Sequence, residues 1–326
     1  MADLKTIYMG MELKNPVIAG SSGITNNVEN LKKIEKHGAG AVVLKSIFEE
    51  QILYESDQEV EASDLGLHPE AMGYLSTMTK EHSVYNYLSL IEEAKKVVSI
   101  PVIASVNCLT DGEWTTFAKR IQDAGADALE LNVLITDYKD NDSKSIENKY
   151  FKIAEKVKKI VSIPFALKLS ILFSNIPQML TGLSRSGVSG LVLFNRYWSP
   201  DVDLDEMAIT SGSIYSSPEE IVTPIRWIGL MSELIECDIS ASTGAHDGNS
   251  VIKLIAVGAT TVQVCSALYL NGIEYIEKIV KQVNDWLDSH GYKSVDDIRD
   301  ILGPKTHEER KVFGRVQFMK YYTLKK

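Results

Sequence analysis

Four segments of this chain carry one short phrase: KHGAGAVVLKS, DAGADALELN, RSGVSGLVLFN and AVGATTVQVCS. In each, a helical-looking stretch ends at a glycine (Gly38, Gly125, Gly187, Gly258), and a small residue leads into a short, mostly apolar run. Glycine just past a last helical turn supplies the left-handed cap that other residues resist. A run this short and β-branched predicts a parallel strand buried on both faces. A helix-to-strand unit used repeatedly confines the fold to alternating α/β architecture.

Four further runs, NPVIAGS, IPVIASVN, IPFALKLS and CDISAST, have strand character without the phrase. Two begin with Ile-Pro after Lys-rich helical stretches, and a proline at a strand's start costs no ladder bond. Strands are therefore predicted to centre near Val17, Val43, Ile103, Leu129, Ala166, Val192, Ile239 and Val262. Eight units without a mid-chain change of composition predict a (β/α)8 TIM barrel, one domain spanning residues 1–326, with long loop insertions at its C-terminal face. The competing doubly wound sheet carries GxGxxG after its first strand. Here GSSGITNN follows instead. Ahead of the first strand, TIYMGMELKNP predicts a β-hairpin turning at Gly10 that plugs the barrel's N-terminal end.

The net charge of −10 argues against nucleic acid, whose phosphates require clustered Lys and Arg. Small-molecule ligands are expected. Three cysteines without CxxC spacing predict neither a disulfide framework nor a metal site. The N-terminal segment lacks a basic region followed by an apolar core, and no run is long enough to span a bilayer, so no membrane partner and a cytoplasmic location are expected.

In such a barrel the reacting groups lie where strands end, because packed side chains fill the interior. Those ends hold Ser21, Lys45, Ser46, Asn107, Asn132, Lys168, Asn195, Ser242, Thr243 and Ser266. Lysine is rarely buried without a partner. Two lysines with three asparagines on one rim point to a polar or anionic ligand, against the plainer alternative that each lysine pairs with a neighbouring carboxylate. STGA after the seventh strand and CSA after the eighth are predicted to bring small residues and backbone amides to two adjacent helix N-termini, a phosphate site.

These pieces together resemble the dihydroorotate dehydrogenases, FMN-dependent barrels of pyrimidine synthesis. The resemblance lies in NPVIAGSSG, VVLKS, LELNV, FALKLS, LFN and STGAHDGNSVIKLIAVGATTVQVCSALY, and continues into HGYKSVDDIRDILG. It is greatest to the soluble cytosolic class, whose members form homodimers. The resemblance implies that Ala19, Gly20 and Ser21 lie against FMN, with Lys45 and Ser46 near its ring and Asn107 and Asn132 approaching it. It implies that Lys168 offers positive charge to the reduced flavin and that Asn195 faces flavin and substrate. Gly212 and Ser213 would pack on the cofactor, and the amides of Thr243, Gly244, Cys265 and Ser266 would hold its phosphate.

The chain departs from the family on the substrate side. Where the family reads Asn-x-Ser-Cys-Pro-Asn, or Ser for Cys, this chain reads Asn132-Val-Leu-Ile-Thr-Asp137. The residue aligned with the catalytic Cys or Ser is Ile135, which cannot remove a proton. Glu70 stands at a substrate-binding amide, and Arg196 follows Asn195 in place of Ser or Thr, so Glu70, Asn132, Asn195 and Arg196 are the substrate-facing candidates. One account is a redox enzyme oxidising dihydroorotate, or a related dihydropyrimidine or small unsaturated ring, with Asp137, Thr136 or Glu70 moving the proton. The other is a flavin-binding protein without the parent chemistry, serving electron transfer or a partner.

The remaining candidates read as structural. His37 favours a helix C-terminal dipole. His68 and His82 fall in a long segment after the second strand that suggests a lid or dimer contact. His246 is expected to serve a helix cap or stand exposed, the alternative being contact with the phosphate; Cys108 and Cys265 are expected to be small buried residues, the alternative for Cys108 being a reactive thiol at the mouth; and Tyr197 with Trp198 are expected to roof the pocket. IEYIEKIVKQVNDWLDSH is predicted to be an amphipathic outer helix.

Overall fold

A computed structural model describes residues 2–49, 69–107, 113–135, 142–197 and 199–314. An N-terminal hairpin, β1 (Thr6–Tyr8) and β2 (Met11–Leu13), precedes β3 (Val17–Ala19), α1 (Val28–Lys36), β4 (Ala41–Val43) and the two-residue β5 (Ile47–Phe48). Next come α2 (Pro69–Val97), β6 (Val102–Asn107), α3 (Glu113–Asp123), β7 (Ala128–Asn132), α4 (Ser143–Ile160), β8 (Phe165–Leu169), α5 (Ile176–Ser184) and β9 (Gly190–Leu193). A second hairpin, β10 (Pro200–Asp203) and β11 (Ala208–Ser211), leads to α6 (Val222–Met231), β12 (Asp238–Ala241), α7 (Gly248–Ala256), β13 (Thr261–Val264) and α8 (Ser266–Asn271). The described chain ends with α9 (Tyr275–His290) and α10 (His307–Gly314).

The strands run β4-β3-β13-β12-β9-β8-β7-β6, and a β4–β6 pairing closes them into a parallel ring, with β5 lying beside β6. Each predicted centre falls inside one of these ring strands. Gly38, Gly125, Gly187 and Gly258 have φ of +95°, +93°, +91° and +117°, the backbone sign that the repeated phrase implied. Pro101 and Pro164 sit one residue before β6 and β8, where their carbonyls accept from Val42 and Leu129 while no N–H is needed.

Period-two alternation divides the barrel into shells. Leu129, Leu131 and Val133 join the outer core beneath the helices. Ala128 instead joins an inner cluster with Ile18, Ala41, Val43, Ile103, Ala166 and Val192. Continuing inward at every second residue gives Glu130 and Asn132 on β7 and Lys168 on β8. The amide that closes LELN is thus the top rung of an inward ladder whose lowest rung is alanine.

The first hairpin plugs the ring from below. Met9 (φ 51°) and Gly10 (φ 77°) make its turn, and Tyr8, Met9 and Leu13 complete the inner cluster. Complete burial of Tyr8 and Leu13 stabilises this end by roughly 1.5–3 kcal/mol apiece. The Met9 N–H donates to Asp238 Oδ2 at 2.6 Å. Burial raises the Asp238 carboxyl above its ordinary range, and this hydrogen bond partly offsets that shift. On α9, Ile276, Ile279, Val283 and Leu287 are buried at helical spacing, as expected of an amphipathic outer helix.

Candidate functional site

At the C-terminal ends of β8, β9, β12 and β13 lies a cleft bounded by Ser21, Lys168, Asn195, Thr243, Cys265 and Ser266 among others. A second hollow shares Asn195, Arg196 and Thr243 and continues past Ile171, Leu172 and Tyr197.

Lys168 reaches the cleft floor because β8 turns its even-numbered side chains inward, and it is only 7% exposed. Its Nζ donates to Gln263 Oε1 at 3.0 Å and lies 3.4 Å from Glu130 Oε1. Gln263 Nε2 in turn donates to Glu130 Oε2 at 2.5 Å. The ammonium therefore has the carboxylate partner that the plainer reading of a strand-end lysine foresaw, and it also lines the cleft. Glu130 and Gln263 were absent from the expected site. Glu130 stands out in LELN as a single charge between leucines, but only ring closure brings β7 and β13 within reach of one lysine.

The cleft's other wall is backbone. Thr243 and Gly244 both have φ of +79°, and the Thr243 hydroxyl donates to the Phe194 carbonyl at 3.1 Å. A Cβ on Gly244 would lie 2.2 Å from the Ile221 nitrogen, so two backbone segments meet there with no room for a side chain. Among the described residues, none accepts from the N–H groups of Thr243, Gly244 or Ser266. The expected arrangement is corrected in one respect: STGA is not a helix N-terminus. Helix α7 begins at Gly248, and Asp247 caps it by accepting from Ser250 N at 2.7 Å. The amides of His246, Asp247 and Gly248 are likewise engaged, by Ser250 Oγ and Gln282 Oε1. Donors available for an anion come from the loop itself and from the start of α8, which Cys265 precedes.

Ser216 was also missed. Its N–H donates to Ser266 Oγ at 3.0 Å, and its hydroxyl lies 3.0 Å from His246 Nε2, closing the wall between two loops. Ser216 borders the cleft, whereas Gly212 and Ser213 are not among the residues that line it. Those two end the second hairpin, where Gly212 N donates to the Ser199 carbonyl and the exposed Ser213 gives its carbonyl to Arg196.

Arg196 borders both hollows, and its guanidinium is already engaged by the protein. Its Nε donates to Glu220 Oε2 at 2.9 Å, its Nη1 to the Ile214 carbonyl at 3.1 Å and its Nη2 to the Ser213 carbonyl at 2.9 Å. It clamps the loop, and a substrate anion would compete with Glu220 for it. Asn195 Nδ2 donates to Asn132 Oδ1 at 2.8 Å, joining the two asparagines expected at ligand and substrate. Ser46, Ser21 and Ser105 form a hydroxyl chain, with Oγ separations of 3.2 Å and 2.6 Å. Ala19 turns its side chain into the outer core, so only its backbone and the bare Cα of Gly20 can face a ligand. Lys45 and Asn107 are half-buried strand-end residues that do not border the cleft.

Ile135 packs partly buried against the outer core, and its N–H donates to the Tyr150 hydroxyl at 3.4 Å. Burial pushes that phenol up to about 12, so it stays protonated beside the aliphatic residue. Thr136, Asp137, Cys108, His68, Trp198 and the side chain of Glu70 lie outside the described residues. His82 is exposed on α2, and no group of His, Cys, Asp and Glu able to hold a metal ion occurs among the described residues.

Loop amides without an acceptor among the described residues and a buried ammonium form a donor set suited to a phosphate-bearing ligand with an electron-rich ring. The chain is 26% identical over 308 residues to the dihydroorotate dehydrogenase B (NAD(+)) catalytic subunit of Thermoplasma acidophilum, covering 91% of this chain and 98% of that protein. The proteins of the same name from Pyrococcus abyssi (25% identity; 90% and 97% covered) and Methanocaldococcus jannaschii (26%; 87% and 93%) are similar throughout. The family model described as dihydroorotate dehydrogenase matches residues 3–287, and the chain belongs to that family.

Proposed function

We propose that this chain is an FMN-dependent oxidoreductase that oxidises dihydroorotate, or a closely related dihydropyrimidine, at a CH–CH bond. The observation that carries the reading is the pairing of unengaged amides on the Thr243–Gly244 loop and at Ser266 with the buried Lys168 ammonium in one cleft. Bound FMN would supply a hydride acceptor at the substrate carbon. The loop amides would hold its phosphate, and the Lys168 ammonium would offset the negative charge of the reduced ring. Asn132 and Asn195, already bonded to each other, retain amide capacity to orient a ring substrate. The proton lost with the hydride cannot go to Ile135, and Asp137 is proposed to take it, with Thr136 beside it.

The relatives' names carry NAD(+) and the words catalytic subunit, and onward electron transfer to NAD(+) through a second subunit belongs to the proposal. So does a homodimer, whose contact surface would be the second hairpin. Leu204 and Met207 there are 76% and 81% exposed, Val202 and Ile209 are exposed beside them, and a two-stranded hairpin alone is marginal in water. A cytoplasmic site fits the free thiols of Cys237 and Cys265, and among the described residues no helix is long and apolar enough to cross a membrane. The test is anaerobic: purify the protein, record the flavin spectrum, and add dihydroorotate or dihydrouracil. Loss of the yellow absorbance with either supports the proposal. A flavin that stays oxidised with both removes the assigned substrate class.

A further inference from the structure

The barrel interior holds one charge that the proposed reaction does not use. Glu130 is 1% exposed and Gln263 3%, and with Lys168 they form a closed triangle at the cleft floor, which Lys168 and Gln263 line. An uncompensated carboxylate at that depth carries a large desolvation cost. The side chains of Ala128, one inward rung below, and Leu129 and Leu131 on either side in sequence are apolar, so the charge is answered by Lys168 alone among the contacts described.

The geometry is specific. Glu130 Oε2 is taken by Gln263, whereas Oε1 has no hydrogen-bond partner among the described residues and lies 3.4 Å from the ammonium. Gln263 is polarised from both ends, accepting from Lys168 and donating to Glu130. Of the three N–H donors on Lys168, Gln263 occupies one. The ammonium is thus held in place while part of its field is cancelled from below.

We propose that Glu130 is a positioning residue that, directly and through Gln263, sets how much positive charge Lys168 presents to a ligand in the cleft. The proposal rests on the flavin reading above and deepens it. A full, unbalanced ammonium beside the ring would favour the anionic reduced form strongly, and a buried counter-charge moderates that preference and keeps the potential low enough to pass electrons onward.

The experiment is potentiometric titration of the flavin-loaded protein. Glu130→Gln keeps the shape and the Gln263 contact but removes the charge, and the midpoint potential is expected to rise by about 30 mV or more, equivalent to a tenfold shift in the two-electron equilibrium. Glu130→Asp keeps the charge but withdraws it by one methylene, and a smaller rise is expected from a variant that disturbs folding less. Potentials that match the parent in both variants overturn the proposal.

A second measurement needs no flavin. Urea unfolding of the flavin-free chain is compared for Glu130→Gln, Lys168→Met and the double variant. Each single change strands one buried group and should lower the midpoint, while the double variant should recover most of the loss. Additive losses overturn the proposal whatever binds. A non-additive pair in a chain that takes up no flavin removes the flavin reading, and with it the tuning role, while the ion pair stands.

Discussion

Replacing Gly244 by alanine tests whether the cleft wall is built as described. Its φ of +79° places any L residue in the left-handed region, at a cost of about 1–2 kcal/mol. The new Cβ would also sit 2.2 Å from the Ile221 nitrogen, against a practical minimum of 3.0 Å, so the facing backbone must retreat by about 0.8 Å. Overpacking of this kind costs about 1–3 kcal/mol. The sum is about 2–5 kcal/mol. The displacement would not stay local. The Glu220 carbonyl carbon is 2.9 Å from the same Cβ position, and Glu220 carries both the Arg196 ion pair and the Ser217 N–H. Gly244→Ala should therefore lower the urea midpoint and weaken FMN binding at least tenfold, read by quenching of flavin fluorescence. Gly10→Ala is the internal control: its φ is +77°, but a Cβ there meets nothing within 4 Å, so it isolates the backbone term at about 1–2 kcal/mol. Equal stability losses in the two variants, or unchanged FMN affinity in Gly244→Ala, would refute the claim that two loops meet at this glycine to form the wall.

Tyr8→Ala removes a fully buried aromatic from the plug and should cost about 3–5 kcal/mol in urea unfolding while FMN affinity, set at the opposite end, changes less than threefold. Burial pulls the Glu35 carboxyl upward, but hydrogen bonds from the Ser99 hydroxyl and N–H and from the Ile100 N–H outweigh it and hold the carboxyl below its usual range. A depressed carboxylate stabilises the fold above its unfolded value and loses that contribution as pH falls through the folded value. Glu35→Gln should accordingly lower the urea midpoint at pH 7, with the difference from the parent shrinking as pH falls through the carboxylate range in parallel urea titrations. Burial, with Asp238 beside it, pushes the Cys237 thiol up to about 12. Thiolate at pH 8 is then only about one part in ten thousand, and mass spectrometry should find iodoacetamide labelling of the native protein at Cys237 at least a hundredfold slower than in urea.

The amino-acid sequence alone determined the architecture, because local signals and barrel geometry agree. A glycine that must take positive φ ends a helix, a β-branched run of four or five residues follows, and eight such units leave few closed solutions. Gly10 placed the hairpin for the same reason. The strand ends, and with them Lys168, Asn132, Asn195 and Thr243, were legible because period-two alternation fixes which residue tops each inward ladder. What residue order could not give were contacts between residues far apart in the chain. Glu130 and Gln263, separated by 133 positions, meet only when β7 and β13 face each other across the closed barrel. The roles of Arg196 and Ser216 depend on the path of the loop after β11, and the donors facing the cleft depend on Asp247 starting α7 later than STGA suggests. Local periodicity is written in neighbouring residues, whereas the pairing of a buried charge is decided by the three-dimensional ring that brings its partner near.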